Sequence, residues 1–274
     1  MKIYISSDME GTAGVVDWSQ VTSTDSQYPY YSQLLTKEIN AAIEGSLKAG
    51  ATEFLVNDAH GRMANLRPDD LAGSARYLSG SVKPMYMMQG LDETFDAAMF
   101  VSYHGSMGSQ GSALSHTYFP SAFSQVSING VVSGEAGINA LVALGYGVPV
   151  VLITGDATTA EEIEPFCPGI QSAVVKESVS RFSASSMHPH EACALIHQKA
   201  YDAVKGIATA AQVNIELPAT LSIDFATSDY ADLASRVNGF SRTGILSGVI
   251  VNDDPIEIYR TFITIVLLAR GLGG

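Results

Sequence analysis

The stretch Lys2-Ile-Tyr-Ile-Ser-Ser-Asp8-Met-Glu10-Gly11 opens the chain. Its apolar residues, Ile3 to Ile5, predict a buried strand that stops before Gly11, where the backbone turns. Asp8 and Glu10 follow directly, and in extended backbone residues two apart point to the same side. Two carboxylates that converge at the end of a buried strand repel each other, so they need a cation, a shared proton or a basic partner. A solvated turn after an edge strand is the alternative explanation.

Strands and helices alternate as the chain continues from this stretch. The predicted segments are a helix over 31–49 that ends at Gly50, strands at 54–56, 75–79 and 97–102, a hairpin of 126–128 with 131–132 around Asn129-Gly130, a helix at 135–145, a strand at 148–154, a helix at 158–165 and a strand at 171–175. Nearly all-apolar strands that alternate with helices are typical of a mostly parallel sheet covered on both faces.

Beyond Lys176 the pattern changes. It predicts a helix over 190–205, a strand at 220–226, a helix at 229–236, one or two strands within 243–252 and a last helix at 255–270. The predicted fold class is therefore α/β, with a mostly parallel sheet flanked by helices and a smaller α+β C-terminal portion. We expect an α/β domain that carries the functional site over residues 1–180, and a smaller α+β domain over 181–274 packed on it.

The composition limits the possible partners and locations. The 274 residues carry a net charge of -13, which opposes binding to nucleic acid or to an anionic membrane, because phosphate contacts need clustered Lys and Arg. Cys167 and Cys193 lie far apart, which predicts reduced thiols and a cytoplasmic location. The N-terminus lacks the pattern of a signal peptide, and the longest apolar run, 262–269, is too short to span a bilayer.

The small number of charged residues bears on assembly. Only 16% of the residues are charged, which is low for an ordinary exposed surface. We therefore expect copies of the chain to cover part of that surface in a homo-oligomer.

Metal-binding residue types follow three of the predicted strands. Ligands of open α/β sheets bind outside the carboxyl ends of the strands, and the residues just past those ends are Asp8, Glu10, His60 and His104. Glu135 begins the helix after the hairpin and can enter the same crevice. One such residue would be unremarkable, but four after three consecutive strands indicate a metal site.

The charges of these donors fit two metal ions. Asp8, Glu10 and Glu135 supply three negative charges, against four positive charges on two divalent cations. A single zinc ion usually takes three or four protein ligands, so five donors fit two ions that share a carboxylate. Mixed imidazole and carboxylate ligands suit zinc, with manganese or cobalt as alternatives. Asp58 either orients the imidazole of His60 or is an ordinary turn residue.

Four further histidines lie outside this set. The segment 105–117 is rich in Gly and Ser, so we expect a mobile, exposed binding loop, and its His116 is either a general base or nucleophile, or a surface residue. We interpret His188, His190 and His197 as surface or helix-end residues.

Several short motifs occur in order along the chain: Ser7-Asp8-Met9-Glu10-Gly11, Val56-Asn57-Asp58-Ala59-His60, Tyr103-His104-Gly105, Ser115-His116 and Gly134-Glu135-Ala136-Gly137-Ile138-Asn139. They are accompanied by Val82-Lys83-Pro84, Gly90-Leu91-Asp92, Val175-Lys176 and Ser180-Arg181. In these motifs the chain resembles the D-aminopeptidase family of dinuclear zinc peptidases, with a looser match in the C-terminal third.

The resemblance implies a site and an assembly. Asp8 would bridge two zinc ions, Glu10 and His60 would complete one, and His104 and Glu135 would complete the other. His116 would be the catalytic base or nucleophile. The family also implies a ring-shaped homo-oligomer, a decamer, whose active sites face an internal channel.

The favoured interpretation is a zinc-dependent aminopeptidase that acts on short peptides or amides, with D-selectivity implied by the resemblance alone. An L-selective enzyme or another amidohydrolase remains an alternative. So does a non-catalytic peptide-binding protein with structural metals, although structural zinc sites are usually rich in Cys. A dinuclear phosphoesterase is disfavoured, because the chain lacks a basic cluster for phosphate and an Asp-x-His opening.

Overall fold

The structure is a computed structural model that describes residues 1–272. Its strands are β1 (Lys2–Ser7), β2 (Glu53–Asp58), β3 (Arg76–Leu78), β4 (Ala97–Tyr103), β5 (Phe123–Ile128), β6 (Val131–Val132), β7 (Val150–Asp156), β8 (Gln171–Ser180), β9 (Ser183–Ser186), β10 (Ala219–Phe225), β11 (Phe240–Arg242) and β12 (Ser247–Asn252). Its α-helices are α1 (Trp18–Val21), α2 (Tyr28–Ala49), α3 (Glu135–Tyr146), α4 (Ala157–Ile163), α5 (Pro189–Gly206), α6 (Ser228–Ala234) and α7 (Pro255–Arg270).

The larger sheet has seven strands in the order β3-β2-β1-β4-β7-β8-β9. All neighbouring pairs are parallel except β8 and β9. The chain moves outward from β1 to β3 and then returns to β4 on the other side of β1. The strand order therefore reverses between β1 and β4, and such a switch point is where open α/β sheets form a crevice at the carboxyl ends of their strands.

Side chains of β1 alternate between two hydrophobic cores. Ile3 and Ile5 point to the face covered by α2 and α5, whereas Tyr4 points to the opposite face. The second core is closed by α3, α7 and the smaller sheet. A strand buried on both faces needs apolar residues at successive positions, which explains the continuous apolar run at residues 3–5.

The smaller sheet joins distant segments of the chain. Its order is β11-β12-β10-β5-β6, and all of its pairs are antiparallel. The hairpin between β5 and β6 turns at Asn129 and Gly130, both with positive φ, as the Asn-Gly pair predicts. This sheet takes strands from both sides of the boundary expected between residues 1–180 and 181–274. The division into those two domains stays a prediction.

The predicted fold class is confirmed, and so are the main predicted segments. Gly50 ends α2 in a left-handed conformation with φ 109°. Sequence patterns missed three short elements, α1, β9 and β11, because none of them contains enough residues to show a period. Within residues 1–272, no helix combines the length and apolar character that crossing a bilayer requires.

The ends of β1, β4 and β7 are in unusually close contact. A Cβ atom placed on Gly11 or on Gly155 would overlap the carbonyl oxygen of Tyr103. The amide of Gly11 also donates to the carbonyl of Ser102 at 2.8 Å, and the amide of Asp8 donates to Val101 at 2.9 Å. The backbone that carries Asp8 is therefore fixed against the backbone that carries His104.

Candidate metal centre

Six predicted side chains come together at the switch point. Asp8 and Glu10 follow β1, His60 follows β2 and His104 follows β4, so three strands supply the donors at their carboxyl ends. Glu135 is the first residue of α3, and His116 lies on the segment between β4 and β5. All six side chains are buried.

Asp8 lies between two imidazoles. Its Oδ1 is 3.3 Å from Nδ1 of His60, and its Oδ2 is 3.3 Å from Nε2 of His104. Oε2 of Glu10 is 2.9 Å from the same His60 nitrogen, and Oε1 of Glu135 is 3.8 Å from the same His104 nitrogen. Each flank of Asp8 thus pairs one further carboxylate with one imidazole.

Three backbone carbonyls orient the imidazoles. Nε2 of His60 lies 2.8 Å from the carbonyl of Val21, Nδ1 of His104 lies 2.9 Å from Gly105, and Nδ1 of His116 lies 2.9 Å from Leu114. A carbonyl oxygen only accepts, so each of these ring nitrogens carries a hydrogen. In the neutral ring the other nitrogen is then an acceptor, and in all three residues it faces a carboxylate of the centre.

A carboxylate oxygen and an imidazole nitrogen that both accept hydrogen bonds are stable side by side when a cation lies between them. Oδ2 of Asp8 and Nε2 of His104 are both buried without a hydrogen-bond partner, which is costly unless a positive charge compensates. The sets Asp8–Glu10–His104 and His104–His116–Glu135 each place one donor atom per residue within 4.8 Å of the others. Carboxylate and imidazole donors of this kind fit zinc, and the backbone bonds to the rings are the usual outer support of histidine ligands.

The electrostatics of the centre favour positive charge. Burial alone would lower the pKa of His104, but the Asp8 carboxylate, 3.3 Å from Nε2, and the charge of Glu135 raise the pKa to about 10. Burial raises the pKa of Glu135 to about 8, while the charge of His104 opposes that rise. Protonated imidazoles would thus neutralise the carboxylates in place of metal ions.

His116 is more confined than its sequence context suggests. The loop 105–117 was expected to be mobile and exposed, but His116 and most of its neighbours in the loop are buried, so the expected exposure is wrong. The loop is pinned because the amide of Leu114 donates to the carbonyl of Arg181 at 2.8 Å, and Ser112 bonds Asp156. The ring of His116 stacks on that of His104, with centroids 4.3 Å apart.

Asp58 does not orient His60. Its carboxylate accepts hydrogen bonds from the side chain of Asn65 at 2.6 Å and from the amide of Leu66 at 3.0 Å. The alternative of a turn-stabilising residue is therefore correct. His188 and His190 are exposed at the start of α5, and His197 lies half-buried on the same helix, as expected.

Two buried charged residues fix the loop that follows β1. Nζ of Lys176 donates to the carbonyl oxygens of Glu10 and, at 2.8 Å, of Val15. Glu38 of α2 accepts from the amide of Ala13 at 2.8 Å and from Oγ of Ser102 at 2.6 Å. Burial raises the pKa of Glu38 to about 7. Neither residue stood out as part of the site on the basis of residue spacing.

A cleft opens from the centre toward solvent in two adjoining parts. The inner cavity, of about 330 Å³, is lined by the acidic cluster together with Tyr86, Tyr118 and Arg270. The outer cavity, of about 380 Å³, is lined by Thr22, Ser23, Arg62 and Asn65. Trp18 and Arg270 border both. Sequence reasoning missed these two residues, because α1 is short and Arg270 lies far along the chain at the end of α7.

Known proteins resemble the whole chain. The sequence profile of the D-aminopeptidase family matches residues 1–264. A D-aminopeptidase of Bacillus subtilis (strain 168) is 34% identical over 270 residues, which cover 98% of each protein. The solved structure of the "Zn-dependent D-aminopeptidase DppA from Bacillus subtilis, a self-compartmentalizing protease" superposes with a TM-score of 0.93 at 33% identity, and covers 98% of each chain.

Glu38 predicts a pH-dependent contribution to stability. Between its ordinary pKa of 4.5 and its folded pKa of about 7, the folded chain keeps a proton that the unfolded chain loses, so stability falls as pH rises through this window. Glu38→Gln keeps the shape of the protonated side chain but cannot ionise. We expect its unfolding free energy to rise relative to the unaltered protein by roughly 3 kcal/mol between pH 4.5 and pH 7, at 1.36 kcal/mol per pKa unit.

Urea denaturation of the chelator-treated proteins at several pH values measures this difference. The candidate centre is the same in both proteins, so its contribution cancels in the difference. Glu44→Gln, an exposed change on the same helix, is the matched control and should leave the pH profile in place. If the unfolding free energies of Glu38→Gln and of the unaltered protein depend on pH in the same way, the raised pKa of Glu38 is contradicted.

Proposed function

Because the chain belongs to the D-aminopeptidase family, we propose that it is a zinc-dependent aminopeptidase that hydrolyses short peptides or amides with an N-terminal D-amino acid. The observation that carries this proposal is the direction of three imidazole lone pairs toward three buried carboxylates at the base of a cleft. The D-preference is supported by the family and by the D-aminopeptidase of Bacillus subtilis that the chain resembles in sequence and in structure.

We assign five residues to two zinc ions. Asp8 would be the shared ligand, since its two oxygens face His60 and His104 separately. Glu10 and His60 would hold one ion, and His104 and Glu135 would hold the other. Bound zinc supplies Lewis-acid chemistry, which polarises a scissile carbonyl and lowers the pKa of water.

His116 is the base in this proposal. Its Nδ1 hydrogen is bound to the carbonyl of Leu114, so Nε2 is the free acceptor, 3.6 Å from Glu135. An acceptor in that position can take the proton of the attacking water and return it to the leaving amine. The edge of Trp18 packs on His116, with ring centroids 5.5 Å apart, and keeps the imidazole facing the inner cavity.

We also propose that the protein is a ring-shaped homo-oligomer located in the cytoplasm. Large apolar side chains such as Val82, Val179 and Ile245 are more than three-quarters exposed in the single chain, which supports their burial against other copies. The structural relative is described as self-compartmentalizing, which supports a closed assembly. Both cysteines are free, as a reducing compartment requires.

Asp8→Ala tests the metal centre and the reaction together. Loss of the shared carboxylate should lower zinc content at both sites and abolish hydrolysis of D-alanyl amide. Zinc analysis of the dialysed protein, with rates on matched D- and L-alanyl amides, measures both quantities. Asp25→Ala, at an exposed position, is the control. Full zinc content and activity in Asp8→Ala would refute the bridging role, and equal rates on both enantiomers would refute the D-preference.

His116→Ala separates catalysis from metal binding. As a base, His116 should contribute roughly 10²-fold or more to kcat while zinc content stays at the level of the unaltered protein. A fall in zinc content along with activity would instead make it a ligand. His190→Ala removes an exposed histidine and serves as the control. Unchanged turnover in His116→Ala would remove this residue from the mechanism.

Sedimentation of the purified protein at micromolar concentration tests the assembly. We expect one species several times heavier than the 29.0 kDa chain, because the exposed apolar side chains are costly to leave in water. Replacement of Ile245 by Asp at an assembly contact should shift the distribution toward smaller species. A single 29 kDa species for the unaltered protein would contradict the proposed oligomer.

A further inference from the structure

Arg270 places a positive charge in a cleft whose base is acidic. It is the last residue of α7 and half-buried, and it borders both the inner and the outer cavity. Its Nη2 donates to the carbonyl of Tyr118 at 3.1 Å, and its guanidinium lies 5.3 Å from the centroid of the Tyr86 ring. These contacts hold the side chain at the cleft wall rather than in open solvent.

The guanidinium retains unused donors. Among residues 1–272, no Asp or Glu forms an ion pair with Arg270, whereas Arg260 pairs with Glu257 at 2.6 Å and Arg242 pairs with Asp232. Arginine carries five N–H donors in a planar fork that matches a carboxylate, and the bond to Tyr118 uses one of them. A carboxylate that enters the cleft can therefore be bound by more than one hydrogen bond.

A short peptide with a free carboxyl terminus suits the charges of this cleft. The proposed reaction places the N-terminal amine of the peptide at the candidate centre, and its C-terminal carboxylate has the charge opposite to that of the Arg270 guanidinium, which lines the same inner cavity. A fully extended dipeptide spans only about 7 Å, so its carboxylate stays within the cleft when the amine is at the base.

We propose that Arg270 binds the C-terminal carboxylate of a dipeptide substrate, so that a dipeptide with a free carboxyl terminus is preferred over its amide. This inference rests on the proposed aminopeptidase function and names its substrate class. Arg270 contacts the substrate away from the scissile bond, so its contribution belongs to substrate binding and appears in KM.

The test compares D-alanyl-glycine with D-alanyl-glycinamide, which differ only in the terminal carboxylate. For the zinc-loaded protein, Arg270→Gln should lower the ratio of kcat/KM for the dipeptide over its amide by about 10- to 100-fold, mainly through KM, the scale expected for hydrogen bonds to a charged group. Arg270→Lys keeps the charge without the fork and should restore part of the ratio. Arg260→Gln, at an exposed arginine on the same helix that lines neither cavity, is the matched control and should change the ratio less than threefold.

Three results would overturn the inference about Arg270, and a fourth would refute the proposed function. If Arg270→Gln weakens both substrates equally, its bond to Tyr118 is merely structural and the inference is overturned. A larger loss of the ratio in Arg260→Gln than in Arg270→Gln would overturn it as well. If Arg270→Gln does not fold, Arg270→Lys takes its place. A ratio in Arg270→Lys equal to that of the unaltered protein would then overturn the inference. An unaltered protein that cleaves neither compound would refute the proposed function itself.

Discussion

Buried negative charge that lacks a basic partner is the constraint on which the centre depends. Asp8, Glu10 and Glu135 share one small volume, and among residues 1–272 their ion-pairing partners are histidines rather than Lys or Arg. Burial of unpaired carboxylates would be strongly destabilising, so this arrangement is stable only when cations or protons occupy the space between them. The parallel sheet meets this need because three of its strands end at the same edge.

The orientation of the His60 imidazole depends on a main-chain carbonyl far along the chain from the motif that contains His60. Val21 fixes the His60 ring through its carbonyl, and Val21 is held in place by α1, which has only four residues. That helix is stabilised by a capping box in which Asp17 and Gln20 bind each other's backbone amides. An exposed N-terminal cap thus supports the orientation of a buried imidazole in the candidate centre.

The sequence predicted much of the candidate site because the end of a buried strand can be recognised where an apolar run stops. Asp8, Glu10, His60 and His104 each follow an apolar run, and the rule for parallel sheets brings such positions together. The carbonyl acceptors of Val21, Gly105 and Leu114 could not be predicted, since any residue type supplies a carbonyl. The pairing of β5 with β10 brings together segments almost one hundred residues apart, and periodicity is a local signal. The burial of the loop 105–117 was mispredicted because the partners that pin it, Arg181 and Asp156, are also distant in sequence.

The close contact of Gly11 and Gly155 with the Tyr103 carbonyl has a consequence for the freedom of the donors. Repulsion between atoms in contact rises much more steeply than the energy of a bent hydrogen bond, so the ends of β1 and β4 cannot move closer to each other without a clash. Asp8 and His104, which follow these strands, therefore adjust to a cation by rotation of their side chains rather than by movement of the main chain. The glycines thus confine the adaptability of the centre to a few side-chain torsions.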